Sequence, residues 1–297
     1  MYINKLDDRM KEQYGCKVYK LALSSGCSCP NRDGTLGTSG CIFCDGAGAF
    51  AESGDIALQL ERARTRVAAK LKKPAKYISY FQSFTNTYGP VDRLERLYRA
   101  AMEPEDVVAL SIATRPDCLG PQILELLERC AQVKPVWVEL GLQTIHPRTA
   151  HYIRRGYELS VYDQAVKDLK ALGLTVVVHQ ILGLPNETPE MMAQTSQYIG
   201  ASGADGIKLH LLHVLRGTEL AREWETGKVP IMELDAYVAA LEGCVAHLPR
   251  SLVIHRLTGD GAKRDLLAPL WSGDKKRVLN TINQAFIRDN VEQGSAL

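Results

Sequence analysis

Short apolar runs rich in β-branched and aromatic residues alternate along the chain with longer segments of helical periodicity. Such runs predict buried strands, whereas apolar positions spaced three or four residues apart predict helices. The predicted strands are Lys17–Ser24, Lys76–Phe81, Val107–Ala113, Val136–Leu140, Thr175–Leu182 and Asp205–Leu211, with a further one at Leu252–Arg256. The predicted helices are Ile56–Lys73, Val91–Met102, Pro121–Ala131, Val161–Leu172, Glu190–Ala201 and Met232–His247. This alternation indicates parallel strands joined by crossover helices.

The predicted fold class is α/β, a partial (β/α)6 TIM-like barrel of parallel strands with a short C-terminal extension. We assign residues 1–250 to the barrel and residues 251–297 to an extension that packs on it and is not an independent domain. A single α/β barrel commonly reaches the 297 residues of this chain. Because parallel barrels gather their chemistry at the carboxyl ends of the strands, the residues that follow each strand are the first candidates for a site.

Composition narrows the class of protein. Hydrophobic residues at 45% and charged residues at 24% are ordinary for a globular domain, and no apolar run is long enough to predict a membrane span. The first residues do not resemble a signal peptide, so we expect a cytoplasmic protein with reduced thiols. Eight cysteines then indicate metal or redox chemistry more than disulfides. The net charge of +2 permits a nucleic-acid partner without arguing for one.

Three cysteines form the most specific motif of the chain. Cys29, Cys41 and Cys44 are spaced C-x11-C-x2-C in a glycine-rich loop that follows the first predicted strand. Three thiolates can ligate three irons of a four-iron cluster and leave the fourth iron open to a small molecule. With Cys27 the loop also offers four thiolates, the ligand set of many structural zinc sites. A zinc-stabilised binding protein therefore stays open as an alternative at this point.

The loop, with its Cys-Pro-Asn-Arg-Asp-Gly opening at residues 29–34, resembles that of radical S-adenosylmethionine (radical SAM) enzymes of the YhcC/YtqA type, relatives of the Elongator catalytic subunit. The resemblance runs from about Tyr14 to the C-terminus. It implies a [4Fe-4S] cluster on Cys29, Cys41 and Cys44, with Cys27 outside the motif and Phe43 beside the cofactor. It also implies that the cluster reduces S-adenosylmethionine (SAM) to a 5′-deoxyadenosyl radical, which abstracts hydrogen from a substrate.

Polar residues after the second and third predicted strands are candidates for binding SAM. By resemblance, Gln82, Thr85 or Asn86 receives its amino group, although turn chemistry explains the same loop as a helix cap. Ser111 and Thr114 are candidates for the ribose hydroxyls.

The later strands supply the remaining cofactor candidates. Arg115 has donors suited to a carboxylate or phosphate, or forms a loop salt bridge. Glu139 and Gln143 resemble the E-x-G-x-Q strand of the superfamily and lie on one side of an extended chain. The resemblance assigns the SAM carboxylate to Arg155 and the ribose to His179, which is otherwise a hydrogen-bonded core residue.

The sixth predicted strand carries the candidate catalytic residues. Lys208 and His210 alternate to the same face, towards the barrel lumen. A lysine and a histidine in that position could grip an anionic substrate or relay a proton.

The substrate is a matter of resemblance alone. Relatives of the YtqA type imply tRNA, with the radical acting on the carbon-5 side chain of the wobble uridine and converting carboxymethylaminomethyl to aminomethyl. The same resemblance implies an electron donor such as flavodoxin or ferredoxin. A radical SAM enzyme acting on a small metabolite or a peptide is the alternative within the same chemistry. The oligomeric state is not encoded in any pattern that we recognise.

Overall fold

A computed structural model describes residues 2–45, 54–69, 71, 73–259 and 263–297 of the protein. The strands are β1 (Val18–Leu23), β2 (Lys76–Phe81), β3 (Val107–Thr114), β4 (Val136–Gln143), β5 (Thr175–Leu182), β6 (Gly206–Leu211), β7 (Val214–Leu215), β8 (Val253–Arg256) and β9 (Leu266–Ala268). The helices are α1 (Leu6–Tyr14), α2 (Ile56–Ala68), α3 (Val91–Met102), α4 (Pro121–Ala131), α5 (Pro147–Tyr152), α6 (Leu159–Ala171), α7 (Pro189–Ala201), α8 (Glu219–Glu225), α9 (Leu234–Ala246) and α10 (Lys275–Arg288).

The main sheet has seven strands in the order β1-β2-β3-β4-β5-β6-β8, and every neighbouring pair is parallel. The sheet curls into a partial barrel with helices on its outer side, which confirms the predicted α/β class. β7 and β9 form a separate antiparallel pair. Because β8 pairs with β6, the sheet continues past residue 250 into the segment that the sequence assigned to an extension.

The observed elements differ from the predicted ones mainly at their ends and in length. β4 continues to Gln143 instead of ending at Leu140, and α2 ends at Ala68 instead of Lys73. The sequence did not predict α1, α5, α8, α10, β7 or β9. α5 and α8 have six and seven residues, too few for a helical period to stand out.

Leucine, valine and isoleucine side chains on the outer faces of the strands pack against the helices. Leu21 in β1 and Val178 in β5 are fully buried, as are Tyr98 of α3, Tyr162 of α6 and Tyr237 of α9. Burial of each such side chain stabilises the fold by roughly 1.5–3 kcal/mol. The core therefore lies between the sheet and the helices and holds the strand ends in place.

The N-terminal segment closes the amino end of the barrel. The amide of Ile254 in β8 donates to the Asn4 carbonyl at 2.7 Å, so residue 4 continues the sheet beyond β8. Met10 of α1 packs with Ile78, Ala109 and Trp137, which face the lumen at that end. The carboxyl ends of the strands lie at the opposite end, which we call the open end or mouth of the barrel. In the part of the chain that the structure describes, no helix is long and apolar enough to cross a membrane.

Candidate active site

The cysteine loop lies directly after β1, at the open end of the barrel. Cys29, Cys41 and Cys44 are half-buried free thiols. Burial raises the pKa of the Cys41 thiol to about 11, and the adjacent Cys44 and Cys29 thiols push it the same way, so the three sulfurs lie in one electrostatic neighbourhood. Across the described residues, no three His, Cys, Asp or Glu side chains already stand in metal-binding geometry.

The surroundings of the three thiols fit a cluster that carries negative charge. Asn31 Nδ2 lies 3.4 Å from Cys41 Sγ and donates to the Arg154 carbonyl at 2.7 Å. The guanidinium of Arg115 interacts electrostatically with Cys29 and Cys41. Hydrogen-bond donors and a cation beside sulfur favour the thiolate and tune the metal group that it holds. Three thiolates with these neighbours match the donor set of a four-iron cluster that has one open iron.

Cys27 lies apart from this set. Its side chain is buried in the main core against α3, and its Sγ lies 3.7 Å from Nη1 of Arg93. Its thiol thus contacts the core and Arg93, as expected for a cysteine outside the three-cysteine motif.

Gly156 fixes the contact between the cysteine loop and the segment after α5. It has a φ of +81°, and a Cβ added there would lie 2.8 Å from Oδ1 of Asn31. A side chain at this position would be strained by the backbone and would displace the asparagine that contacts Cys41. Phe43 is half-buried and packs with Ile42 on a second apolar cluster that includes residues of α8.

The loop after β2 is held by Asn86. Its Oδ1 accepts from Ser25 Oγ at 2.7 Å, and its Nδ2 donates to the carbonyls of Phe81 and Ala113 at 3.1 and 2.9 Å. The side chain is fully buried, so its amide positions the loop. Thr85 is buried in the same loop, and Gln82 is half-buried at the barrel mouth. Their contacts with SAM stay a prediction.

The hydroxyl groups of β3 are engaged inside the protein. Thr114 Oγ1 lies 2.6 Å from Thr87 Oγ1, which also donates to the Cys118 carbonyl at 2.7 Å. Ser111 Oγ donates to Oε1 of Glu139 at 2.6 Å. Ser111 and Thr114 thus form hydrogen bonds within the protein that the sequence did not predict. Their contacts with the ribose stay a prediction.

Two predicted arginines belong to one network. Arg115 forms a two-point ion pair with Asp117 at 2.9 and 2.7 Å and donates to the Arg155 carbonyl at 2.8 Å. Arg155 donates to the carbonyls of Thr144 and Tyr157 and stacks over the Tyr157 ring, with 4.6 Å between its guanidinium carbon and the ring centroid. The network joins the ends of β3 and β4 to the cysteine loop.

Gln143 ends β4 in a left-handed conformation, with a φ of +68°. Glu139, four residues earlier in the same strand, is fully buried in the lumen, whereas Gln143 is half-buried at the mouth. A positive φ is uncommon outside glycine and is worth a functional hypothesis where it occurs at a strand end.

Glu139 is the centre of a buried polar network. Its carboxylate accepts from Lys20 Nζ at 2.5 Å and from Ser111, its Oε2 lies 2.6 Å from His179 Nε2, and Lys208 Nζ also donates to it. Burial alone would raise the pKa of the Glu139 carboxyl, but Lys20, Lys208 and His179 hold that pKa well below its usual range. Glu139 is therefore an ionised internal counter-ion.

The lumen histidines are neutral. Burial, with the charge of Lys208, lowers the pKa of His179 from 6.5 to about 4. Burial, with His179 and Arg256 nearby, holds the pKa of His210 well below its usual range. The two rings lie 5.0 Å apart between centroids. Strands β4, β5 and β6 thus bring Glu139, His179, Lys208 and His210 together. The alternation of side chains in β6 predicted only that Lys208 and His210 share a face.

Sequence reasoning missed Lys20, Asn31 and Tyr157. Lys20 stands alone in the run Val18-Tyr19-Lys20-Leu21-Ala22-Leu23, and a single charge in an otherwise apolar strand is the signal that could have found it. Nothing in the sequence identifies Tyr157, which donates from its hydroxyl to the Gly141 carbonyl at 2.5 Å.

Comparison with known proteins gives the family. A sequence model described as the Radical SAM superfamily matches residues 29–199, and one described as the Radical_SAM C-terminal domain matches residues 204–288. The chain is 39% identical over 293 residues to YtqA of Bacillus subtilis, covering 97% of this chain and 91% of that protein. These matches confirm the resemblance that the cysteine loop suggested.

Two further similarities are more partial. The chain is 32% identical over 124 residues to the tRNA uridine(34) acetyltransferase of Methanocaldococcus jannaschii, covering 41% of this chain and 22% of that protein. The structure of the archaeal Methanocaldococcus infernus Elp3 aligns with a TM-score of 0.71 at 17% identity, covering 93% of this chain and 64% of that one. The last match is evidence of a shared fold alone.

Proposed function

We propose that this chain, which belongs to the radical SAM superfamily, acts on the carbon-5 side chain of the wobble uridine in tRNA. As a member of that superfamily it is an enzyme with a [4Fe-4S] cluster and SAM as cofactors. On this proposal the enzyme converts a carboxymethylaminomethyl group to aminomethyl. The methylene next to the carboxylate would be oxidised by two electrons at the expense of SAM, and water would cleave the resulting carbon–nitrogen double bond, so that the two carbons leave as glyoxylate. The observation that carries the chemistry is the convergence of the cysteine loop and the polar strand ends at the open end of the barrel.

The roles of the residues follow from their places. When bound, the cluster and SAM supply a 5′-deoxyadenosyl radical for hydrogen abstraction. Cys29, Cys41 and Cys44 would hold three irons, and Asn31 and Arg115 would stabilise the thiolates from outside. We assign contacts with SAM to residues of the cysteine loop, of the strand ends and of the lumen below them: Phe43, Gln82, Thr85, Asn86, Ser111, Thr114, Arg115, Glu139, Gln143, Arg155 and His179.

Lys208 and His210 are proposed to meet the substrate. Both belong to β6, and Lys208 Nζ also lies 3.1 Å from the Tyr80 hydroxyl. Since burial keeps His210 neutral, its ring can accept or donate one hydrogen bond without adding charge.

Support for the tRNA substrate comes from the relatives. One of them is named for uridine 34 of tRNA, and its similarity covers 41% of this chain. An RNA substrate of this kind would present its base to the barrel mouth, since bases are recognised when they are unstacked. The electron donor is proposed to be a flavodoxin or a ferredoxin.

Two measurements test the proposal. Anaerobically reconstituted protein with SAM and a strong reductant should release 5′-deoxyadenosine and hold about four irons per chain. Mass spectrometry of tRNA nucleosides should show carboxymethylaminomethyluridine accumulating, and aminomethyluridine depleted, in cells that lack the gene. Identical nucleoside profiles would remove the tRNA assignment and point to a small metabolite or a peptide, while the first measurement decides the cofactor chemistry separately.

A further inference from the structure

The side chains that face the barrel lumen form layers along its axis. The register of the strands aligns Ile78 with Ala109 at the amino end, where α1 and Trp137 complete an apolar layer. The next layer is polar and contains Tyr80, Ser111, Glu139 and Lys208. Lys20 lies beside Ile78 in the strand register, and its ammonium group reaches this layer at Glu139. Above it, towards the open end, the strands carry the small residues Ala22, Ala113 and Gly141. Small side chains there leave space over the charged layer.

Solvent reaches two members of this layer. The side chains of Lys20 and His179 are 20% and 16% exposed, while their outward-facing neighbours Leu21 and Val178 are fully buried. Because Met10 and Trp137 pack together at the amino end, we take the barrel mouth as the route by which a ligand reaches Lys20 and His179. A substrate group long enough to pass the small residues can therefore contact the charged layer.

Two lysines, Lys20 and Lys208, share the carboxylate of Glu139 in this layer. Burial, with Lys20 and Arg256 nearby, holds the pKa of the Lys208 ammonium well below its usual range, although Glu139 acts in the opposite direction. A positive charge on Lys208 is therefore costly in this interior, and an anion supplied beside it would favour that charge.

Two histidine nitrogens add unfilled hydrogen-bonding capacity. Nε2 of His210 and Nδ1 of His255 are buried and have no hydrogen-bond partner among the described residues. His255 packs against Gly206, where an added Cβ would lie 2.7 Å from its Nε2, so its ring occupies the lumen beside Lys208. Buried polar atoms without partners cost about 1–3 kcal/mol each. A ligand with acceptor and donor atoms would remove part of that cost.

We propose that the charged layer is a carboxylate-binding subsite, in which Lys20 and Lys208 hold the anionic end of the substrate while Glu139 acts as their fixed counter-ion. The inference rests on the proposed function, because it places that end in the lumen below the reacting carbon. Lys20 is then a substrate-specificity residue, and the cluster loop has no part in recognising the charge. A neutral group of the same shape would not favour the charged form of Lys208.

The test compares two probes that differ only in charge, N-acetylglycine and N-acetylglycinamide. Each is titrated by anaerobic calorimetry into the holoenzyme with SAM bound. We expect the carboxylate to bind about 10- to 100-fold more tightly than the amide, the range of one or two charged hydrogen bonds. Lys20→Met should remove this preference, and Lys20→Arg should retain it.

Lys76→Met is the matched control. Lys76 begins β2 at the closed end of the barrel, with its Nζ 5.2 Å from the centroid of the Tyr14 ring, and should leave the preference unchanged. Equal affinity for the two probes, absence of binding by both, or a preference that survives Lys20→Met would each overturn the subsite. If the preference holds while the tRNA nucleosides of the deletion strain are unchanged, the uridine assignment fails and the subsite stands.

Discussion

Replacing Glu139 by glutamine should destabilise the folded protein strongly, although the side chain keeps its shape. The substitution removes the carboxylate that Lys20 and Lys208 share, and the Lys208 side chain is 3% exposed. Its ammonium group would then be buried without a counter-ion or would have to release its proton. Ser111 and His179 would keep a hydrogen-bonding partner, so the predicted loss is one of charge.

The magnitude follows from the two ion pairs. At an effective dielectric constant of about 20, each lysine–carboxylate pair at about 4 Å contributes roughly 4 kcal/mol of attraction. Desolvation of the carboxylate offsets several kcal/mol of this sum. Removing one partner of a buried pair costs about 3–5 kcal/mol on balance, which corresponds to a melting temperature lower by about 5–10 °C for a chain of this size.

Anaerobic thermal melting of the holoenzyme measures the effect, with the exposed Glu128→Gln on α4 as control. The double variant Glu139→Gln/Lys208→Met should recover part of the loss, because it removes the uncompensated charge together with its partner. A Glu139→Gln protein that melts within about 2 °C of the wild type, the shift expected from a surface change, would refute the interpretation of Glu139 as an ionised counter-ion.

Three further predictions concern the lumen, the loop after β2 and the cysteines. The pKa of His179 falls from 6.5 to about 4 on folding. Protonation of His179 therefore does not affect the free energy of unfolding above pH 6.5 but lowers it by about 3 kcal/mol as the pH falls towards 4. Urea midpoints at pH 7 and 4.5 measure this loss, and His179→Gln should reduce the difference between them. Asn86→Ala should lower the free energy of unfolding by about 2–4 kcal/mol, because it leaves the buried partners of Asn86 unpaired. The control Asn280→Ala, at an exposed position, should change it by no more than about 0.5 kcal/mol. Equal urea midpoints for the two variants would contradict the prediction. Cys41→Ala should lose cluster iron and SAM cleavage, while Cys27→Ala should keep most of both; an equally inactive Cys27→Ala would show that the ligand assignment is wrong.

The strands were predictable because their outward faces are continuously apolar. A run such as Thr175–Leu182 cannot remain in solvent, and β5 has the same bounds in the structure. The cysteine motif was visible in the sequence because its three cysteines lie within 16 residues of one another.

The lumen network was only partly predictable because its members are far apart in sequence. Lys20 lies 119 residues from Glu139, and Lys208 lies 69 residues from it. Alternation within one strand shows which of its side chains lie on the same face of the sheet. It does not show which residues of the other strands those side chains contact. Short elements such as α5 carry too few residues for a pattern, and their positions depend on tertiary contacts.

The contact between residue 4 and β8 has a consequence for how the barrel forms and opens. The Asn4 amide donates to the Gln293 side chain, a contact that spans 289 residues. Contacts of such long range are made late in folding, because much of the chain must already be ordered before its ends can meet. They also belong to regions that open without global unfolding. In hydrogen exchange, the amide of Ile254 should therefore exchange before that of Val178, and this early exchange would mark a rear entrance to the lumen, opposite the mouth.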